Sequence, residues 1–248
     1  MTTSEVLFER FCTEGHLSFR RIDTDVEKTP DYEVVLGNVP VIVEVKEFTL
    51  NESDKEALHD CESGGSAVWG MPKLGSRVRN KIESAKHQLE CLASGRCPGL
   101  LLLYDGRPSP IGGIFPYEIL VAMYGFETID VHVSEKPEEP VRFGRHKFGK
   151  GGKLRYKTHT YISAVGILRE VDGNRLHIDL YHNIFADNPL PLEPIVGRAD
   201  MSLFSVPSGS GNEFREWVQV VSAEEYERTH QLPKPVPGFT PGALPPRP

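Results

Sequence analysis

Pro30-Asp31-Tyr32-Glu33-Val34-Val35-Leu36-Gly37-Asn38-Val39-Pro40-Val41-Ile42-Val43-Glu44-Val45-Lys46 holds two β-rich runs split by Gly-Asn. Such a pair reads as a hairpin, because Gly and Asn accept tight-turn conformations and β-branched residues suit a pleated strand. A period of two puts Glu44 and Lys46 on one face of the second strand, with Val45 pointing into the core. Glu44 also interrupts the apolar run Val41-Ile42-Val43. A carboxylate and an ammonium beside a sheet interior need a reason. One reading is a surface hairpin with a turn aspartate and two exposed charges. The other is cation binding.

Working outward, Ser4 to Glu14 reads as a helix capped by Ser4, with Val6, Leu7, Phe8 and Phe11 as its apolar face and Gly15 as its stop. His16 to Asp23 reads as a first strand. Leu50 to Leu74 begins acidic, contains Gly64-Gly65-Ser66 and ends with Trp69 and Pro72, the pattern of a long mobile or functional loop. From Ser76 to about Ser94, Val78, Ile82, Ala85, Leu89 and Leu92 recur at helical steps. Leu100 to Leu103 are consecutive leucines between turn residues, as in a strand buried on both faces. A short helix at Pro116 to Tyr124 and a strand at Thr128 to Val133 follow. This order is an α/β layered pattern, one sheet with helices on its faces.

The second half is β-rich. Tyr161 to Val171 and Arg175 to Ile184 flank Asp172-Gly173-Asn174, a second hairpin signal. Phe204 to Val221 suggests a further strand, Ala223 to Thr229 a short helix, and the proline-dense end from Leu232 a disordered tail. Arg142 to Lys157 carries seven Lys or Arg, no acid and four glycines, which reads as a basic loop. Arg142, Arg145, Lys147, Lys150, Lys153, Arg155 and Lys157 on such a loop can follow a phosphate backbone without reading bases. A solvated charge run is the alternative. His177, Asp179, Tyr181 and Asn183 alternate along one strand and read as a half-exposed face.

The net charge of −7 argues against phosphate contacts over the whole surface but leaves room for a local basic groove. No eighteen-residue apolar run and no basic-then-apolar leader is visible, so the expected setting is cytoplasmic, without a membrane. Cys12, Cys61, Cys91 and Cys97 form no C-x-x-C pair and read as reduced thiols. No G-x-S-x-G, Walker loop or H-E-x-x-H occurs.

Pro30-Asp31, twelve intervening residues and Glu44-Val45-Lys46, after a helix carrying Glu9, resemble the core of the PD-(D/E)XK nucleases. The resemblance implies a restriction-endonuclease-like core of order αβββαβ, a mixed central sheet flanked by helices, over residues 1–135. It leaves a β-rich C-terminal extension over 136–231, with its basic loop, and a tail over 232–248. It implies Mg²⁺ or Mn²⁺ held by Asp31, Glu44, the Val45 carbonyl and, directly or through water, Glu9. Lys46 would assist the attacking water. The second long helix often contributes a polar residue near the scissile phosphate in that family, and Gln88 and Lys81 share one face of it here. A solvated polar face remains open for both. Leu92 departs from the Q-x-x-x-Y pattern of the RecB-like branch. The expected activity is phosphodiester hydrolysis in nucleic acid, DNA in the first instance. RNA, a non-catalytic binding module and a homodimer stay open.

Overall fold

The computed structural model describes residues 1–22, 29–64, 74–136, 138–206 and 216–229, with the backbone alone at 145, 146, 228 and 229. The quoted hairpin is strand β2 (Tyr32–Leu36) turning at Gly37, φ 63°, into β3 (Val39–Phe48). Helix α1 (Thr3–Glu14) and strand β1 (Ser18–Arg21) precede it. Helices α2 (Glu52–Glu62) and α3 (Ser76–Ala93) lead to β4 (Gly99–Asp105). Helix α4 (Pro116–Tyr124), strands β5 (Gly125–His132), β6 (Arg142–Gly151), β7 (Ile162–Val171), β8 (Arg175–His182), β9 (Met201–Ser205) and β10 (Val218–Gln219), and helix α5 (Ala223–Thr229) complete the order.

Eight strands form one mixed sheet in the order β1-β2-β3-β4-β7-β8-β9-β10. β4 runs parallel to β3 on one side and to β7 on the other, which buries its leucines from both faces. Parity along β3 sorts the two cores. Val41, Val43 and Val45 pack with Leu7, Phe8 and Phe11 of α1, whereas Ile42 and Phe48 pack with Val78, Ile82 and Leu89 of α3 and with α4. The molecule is therefore a mixed α/β layer structure with helices on both faces of a mixed central sheet. Among the described residues no helix is long and apolar enough to cross a membrane.

Several expectations change. The cap of α1 is Thr2, whose hydroxyl accepts from the Glu5 N–H while the Glu5 carboxylate accepts from the Thr2 N–H. Ser4 is buried instead, its N–H on Glu47 Oε2 at 3.3 Å. The Leu50 to Leu74 connection contains a full helix, α2, capped reciprocally by Asn51 and Asp54; Trp69 and Pro72 lie outside the described residues. Arg142 to Gly151 is a strand and not a loop, because it pairs antiparallel with β5. Where one strand was expected over Phe204 to Val221, the described parts are β9 and β10. The boundary at 135/136 falls inside the β5–β6 hairpin, and the β-rich half carries β7 to β10 of the central sheet. The expected tail at 232–248 lies outside the described residues.

Candidate active site

In β2–β3, Tyr32 stands opposite Val43, so the next pair inward to the site is Asp31 opposite Glu44. Both belong to the face that carries Ile42 and Phe48, toward α3. Continued one more step, the register puts Pro30 opposite Val45. The Val45 N–H points to the β2 side and is accepted by Asp31 Oδ2 at 2.8 Å. Its carbonyl points the same way, toward a proline that has no N–H to give. The Pro-Asp pair thus offers no N–H from position 30 to that backbone oxygen and places a carboxylate on the Val45 N–H.

Glu44 has no solvent exposure at all. Its Oε1 touches the Lys46 ammonium, yet neither of its oxygens receives a well-directed hydrogen bond among the described residues. Burial, and then the charge of Asp31, push the Glu44 pKa up to about 7, against the pull of Lys46. Asp31 is raised too, by burial first, while the Val45 N–H and Lys46 pull it down. The two carboxyl groups are close enough to perturb each other and share one side of the sheet with Lys46. Two hard carboxylates and a backbone carbonyl suit Mg²⁺ or Mn²⁺, which is held by few protein oxygens and keeps several waters. Among the described residues no group of three or more His, Cys, Asp or Glu side chains is arranged to hold a metal ion.

The missing third carboxylate is Glu9. Its Oε1 accepts from Arg21 Nε at 2.5 Å and from the Tyr32 hydroxyl at 3.0 Å. Tyr32 belongs to the α1-side core, and Arg21 of this triad also approaches Glu5 Oε2 at 3.7 Å. Glu5, one turn earlier, is the α1 carboxylate whose charge raises Asp31. It lies where the start of α1 meets β3, next to the Ser4 contact with Glu47. The i, i+4 spacing of Glu5 and Glu9 was the available signal, since both occupy one side of the helix.

From α3, Lys81 does come to the site. Its ammonium lies 5.3 Å from the centre of the Phe48 ring, and burial together with nearby Lys46 lowers its pKa. Gln88 does something else: its amide donates to the Thr29 carbonyl at 3.4 Å, tying α3 to the residue before Pro30. Phe48 also meets Arg107, 5.7 Å from the ring centre, whose guanidinium is held bidentately by Asp105 at 2.7 Å. Asp54, the buried carboxylate of α2, takes both ends of Arg77 from α3, at 2.6 and 3.0 Å. Phe48, Asp54 and Arg107 were not read from sequence. All of these sit at the carboxyl ends of parallel β3 and β4, where open α/β sheets offer a crevice.

The basic stretch is dispersed. Lys147 pairs with Asp130 at 2.7 Å, Lys153 with Glu83 of α3 at 2.8 Å, and Arg155 donates to the Gly149 carbonyl at 2.7 Å. Lys153 and Lys86 hold the Glu83 pKa down to about 2. Arg142 and Lys150 lie exposed on β6, and Lys157 leans on the Tyr156 ring at 5.3 Å; the Arg145 side chain lies outside the described residues. Comparison with protein-family models, with curated proteins and with solved structures finds no match.

Proposed function

We propose that the chain is a metal-dependent nuclease with a restriction-endonuclease-like core, hydrolysing phosphodiester bonds in DNA. The observation that carries this reading is the buried Glu44 carboxylate, facing Asp31 and paired with the Lys46 ammonium, with no other well-directed hydrogen bond among the described residues. Two buried carboxyl groups side by side are costly, and the one ammonium of Lys46 offsets a single negative charge, so a proton or a divalent cation is needed to answer the other. Asp31, Glu44 and the Val45 carbonyl would hold Mg²⁺ or Mn²⁺; Glu9 is not part of that set. A divalent cation there supplies charge that acidifies water and offsets the negative phosphate.

The side chains do the rest. Lys46, beside Glu44 and partly open to solvent, is placed to orient the attacking water and to stabilise the negative charge that builds on the phosphoryl oxygens. Lys81 adds a second ammonium on the same side. Arg142 and Lys150 offer backbone contacts farther out, as phosphate neutralisation without base readout. The four cysteines are free thiols, which accords with a cytoplasmic setting.

Purified protein incubated with plasmid, linear duplex, single-stranded DNA and RNA in Mg²⁺, Mn²⁺ or EDTA tests the reading. Cleavage in metal, lost in EDTA and reduced about 100-fold or more in Asp31→Ala and Lys46→Ala, is the expected result. Wild type no faster than both variants on every substrate would leave a non-catalytic binding module as the better reading.

A further inference from the structure

Arg107 is a buried cation for which the Asp31–Glu44 pair gives no account. Its side chain, just past the carboxyl end of β4, is 4% exposed. Asp105 takes Nε and Nη2 of its guanidinium at 2.7 Å each. The remaining nitrogen, Nη1, has no acceptor among the described residues, yet it is not sealed from solvent. The mount is rigid. Asp105 also accepts the Arg107 N–H at 3.2 Å and the Gly113 N–H at 2.7 Å, which closes the loop between them. A Cβ on Gly112 would lie 2.1 Å from the Arg107 carbonyl oxygen, so this closure needs glycine there. A guanidinium fork held in this way requires little further ordering when a ligand arrives.

Lys81 of α3 meets the same aromatic ring. Its ammonium lies 5.3 Å from the Phe48 ring centre and the Arg107 guanidinium 5.7 Å. The carboxylates around the two are taken: Asp54 by Arg77, Asp105 by Arg107 and Glu44 by Lys46. Glu47, whose charge reaches Lys81, accepts the Ser4 N–H at 3.3 Å and forms no ion pair among the described residues. Lys81 is therefore a half-buried ammonium without a carboxylate of its own among the described residues, and Lys46 stands near it as a second ammonium. Like charges gathered partly out of water are costly until an anion answers them.

We propose that Arg107 Nη1 and the Lys81 ammonium form a phosphate subsite beside the cation site, holding a phosphate group of the nucleic acid next to the one that is cut. Phosphate oxygens can be shared by two donors from different elements, and charge-assisted bonds to them are strong. Clamping that group fixes the strand at the carboxyl ends of β3 and β4, and so sets which phosphodiester lies at Asp31 and Glu44. A backbone diester and a terminal 5′-phosphate share this chemistry. The inference rests on the nuclease reading for its ligand, but it concerns binding and needs no cleavage.

Fluorescence anisotropy of the full chain, in EDTA and in Ca²⁺, tests it with short labelled DNA, single-stranded and duplex, ending in 5′-phosphate or 5′-hydroxyl. Wild type should bind, and Lys81→Met should weaken binding about tenfold and flatten the slope of log affinity against log salt by about 1. Lys81→Arg, which keeps the charge, should bind as wild type does. Arg107→Lys, whose single ammonium stays on Asp105, should also lose about tenfold. The Lys81 variants keep the test decisive if Arg107→Lys disturbs its loop, which circular dichroism reports. Equal losses on both kinds of end assign the subsite to a backbone diester, and losses confined to the 5′-phosphate assign it to a terminal group. A wild type that binds none of these DNAs, or a Lys81→Met protein with wild-type affinity and salt slope, overturns the proposal. A protein with the expected binding pattern that cuts nothing keeps the subsite and loses the nuclease reading; one that cuts while Lys81→Met binds as wild type does the reverse.

Discussion

Asp31 Oδ2 receives the Val45 N–H at 2.8 Å and so replaces the ladder partner that Pro30 would have supplied. The aspartate is at once a brace for β3 and a negative charge beside Glu44. Because proline has no N–H, the carbonyl of Val45 is left facing the same small region.

Pro30→Ala therefore tests the carbonyl. Alanine restores a donor opposite Val45, so the Mg²⁺ concentration for half-maximal cleavage should rise about tenfold, with the fold retained. Cleavage assays across a Mg²⁺ titration, beside a thermal melt, separate the two effects. An unchanged Mg²⁺ dependence removes Val45 from the ligand set.

Stability should carry the signature of Glu44. Its pKa rises from 4.5 to about 7 on folding, so between those values the folded chain keeps a proton that the unfolded chain has released. Stability then falls as pH climbs through that window, and the upward shift of Asp31 acts in the same direction. Melting in EDTA from pH 4.5 to 8 should show the fall, Glu44→Gln should flatten it, and Mg²⁺ should recover stability at pH 8. A Glu44→Gln profile parallel to wild type would sink this account.

Glu5 and Glu9 both approach Arg21, and they should differ in their effect on Asp31. Glu5→Gln removes a charge that raises Asp31 while keeping an acceptor for the helix cap, so the acid limb of the cleavage profile should move to lower pH. Glu9→Gln should leave that limb in place and cost about 1 kcal/mol of stability through Arg21 and Tyr32. The reverse pattern in the pH–rate profiles would reinstate Glu9.

Asp54→Ala should loosen α2. Asp54 is the only buried residue of that helix, and its bidentate pair with Arg77 joins α2 to α3. Losing it should cost about 3 kcal/mol and expose Lys55 to trypsin, measured by denaturant unfolding and limited proteolysis. Cleavage at Lys55 no faster than in wild type would mean that other contacts hold the helix.

What could be read beforehand follows the physics of each element. The β2–β3 hairpin was legible because its signal is local: alternation, a Gly-Asn turn and a misplaced glutamate. The α3 stripe was legible for the same reason. Helix α2 was not, since it has no apolar stripe and is fastened by a charge pair to a residue far along the chain. The glycines of β6 suggested a loop, yet they mark crowding: a Cβ on Gly144 would lie 3.0 Å from Asp130 Cβ, and one on Gly149 2.8 Å from the Phe126 carbonyl. Period two grouped Glu44 with Lys46, the family resemblance added Asp31, and the hairpin register sets Asp31 opposite Glu44. Which face α1 covers is a long-range fact, and it decided between Glu5 and Glu9.

β4 has one more consequence, for synthesis. Its second neighbour is β7, which begins at Ile162. While the ribosome adds the intervening residues, Leu100 to Leu103 have β3 on one flank and an open hydrogen-bonding edge on the other. Such an apolar edge is where nascent chains stick to one another or recruit chaperones. Completion of β7 is therefore the step that takes the emerging polypeptide out of danger.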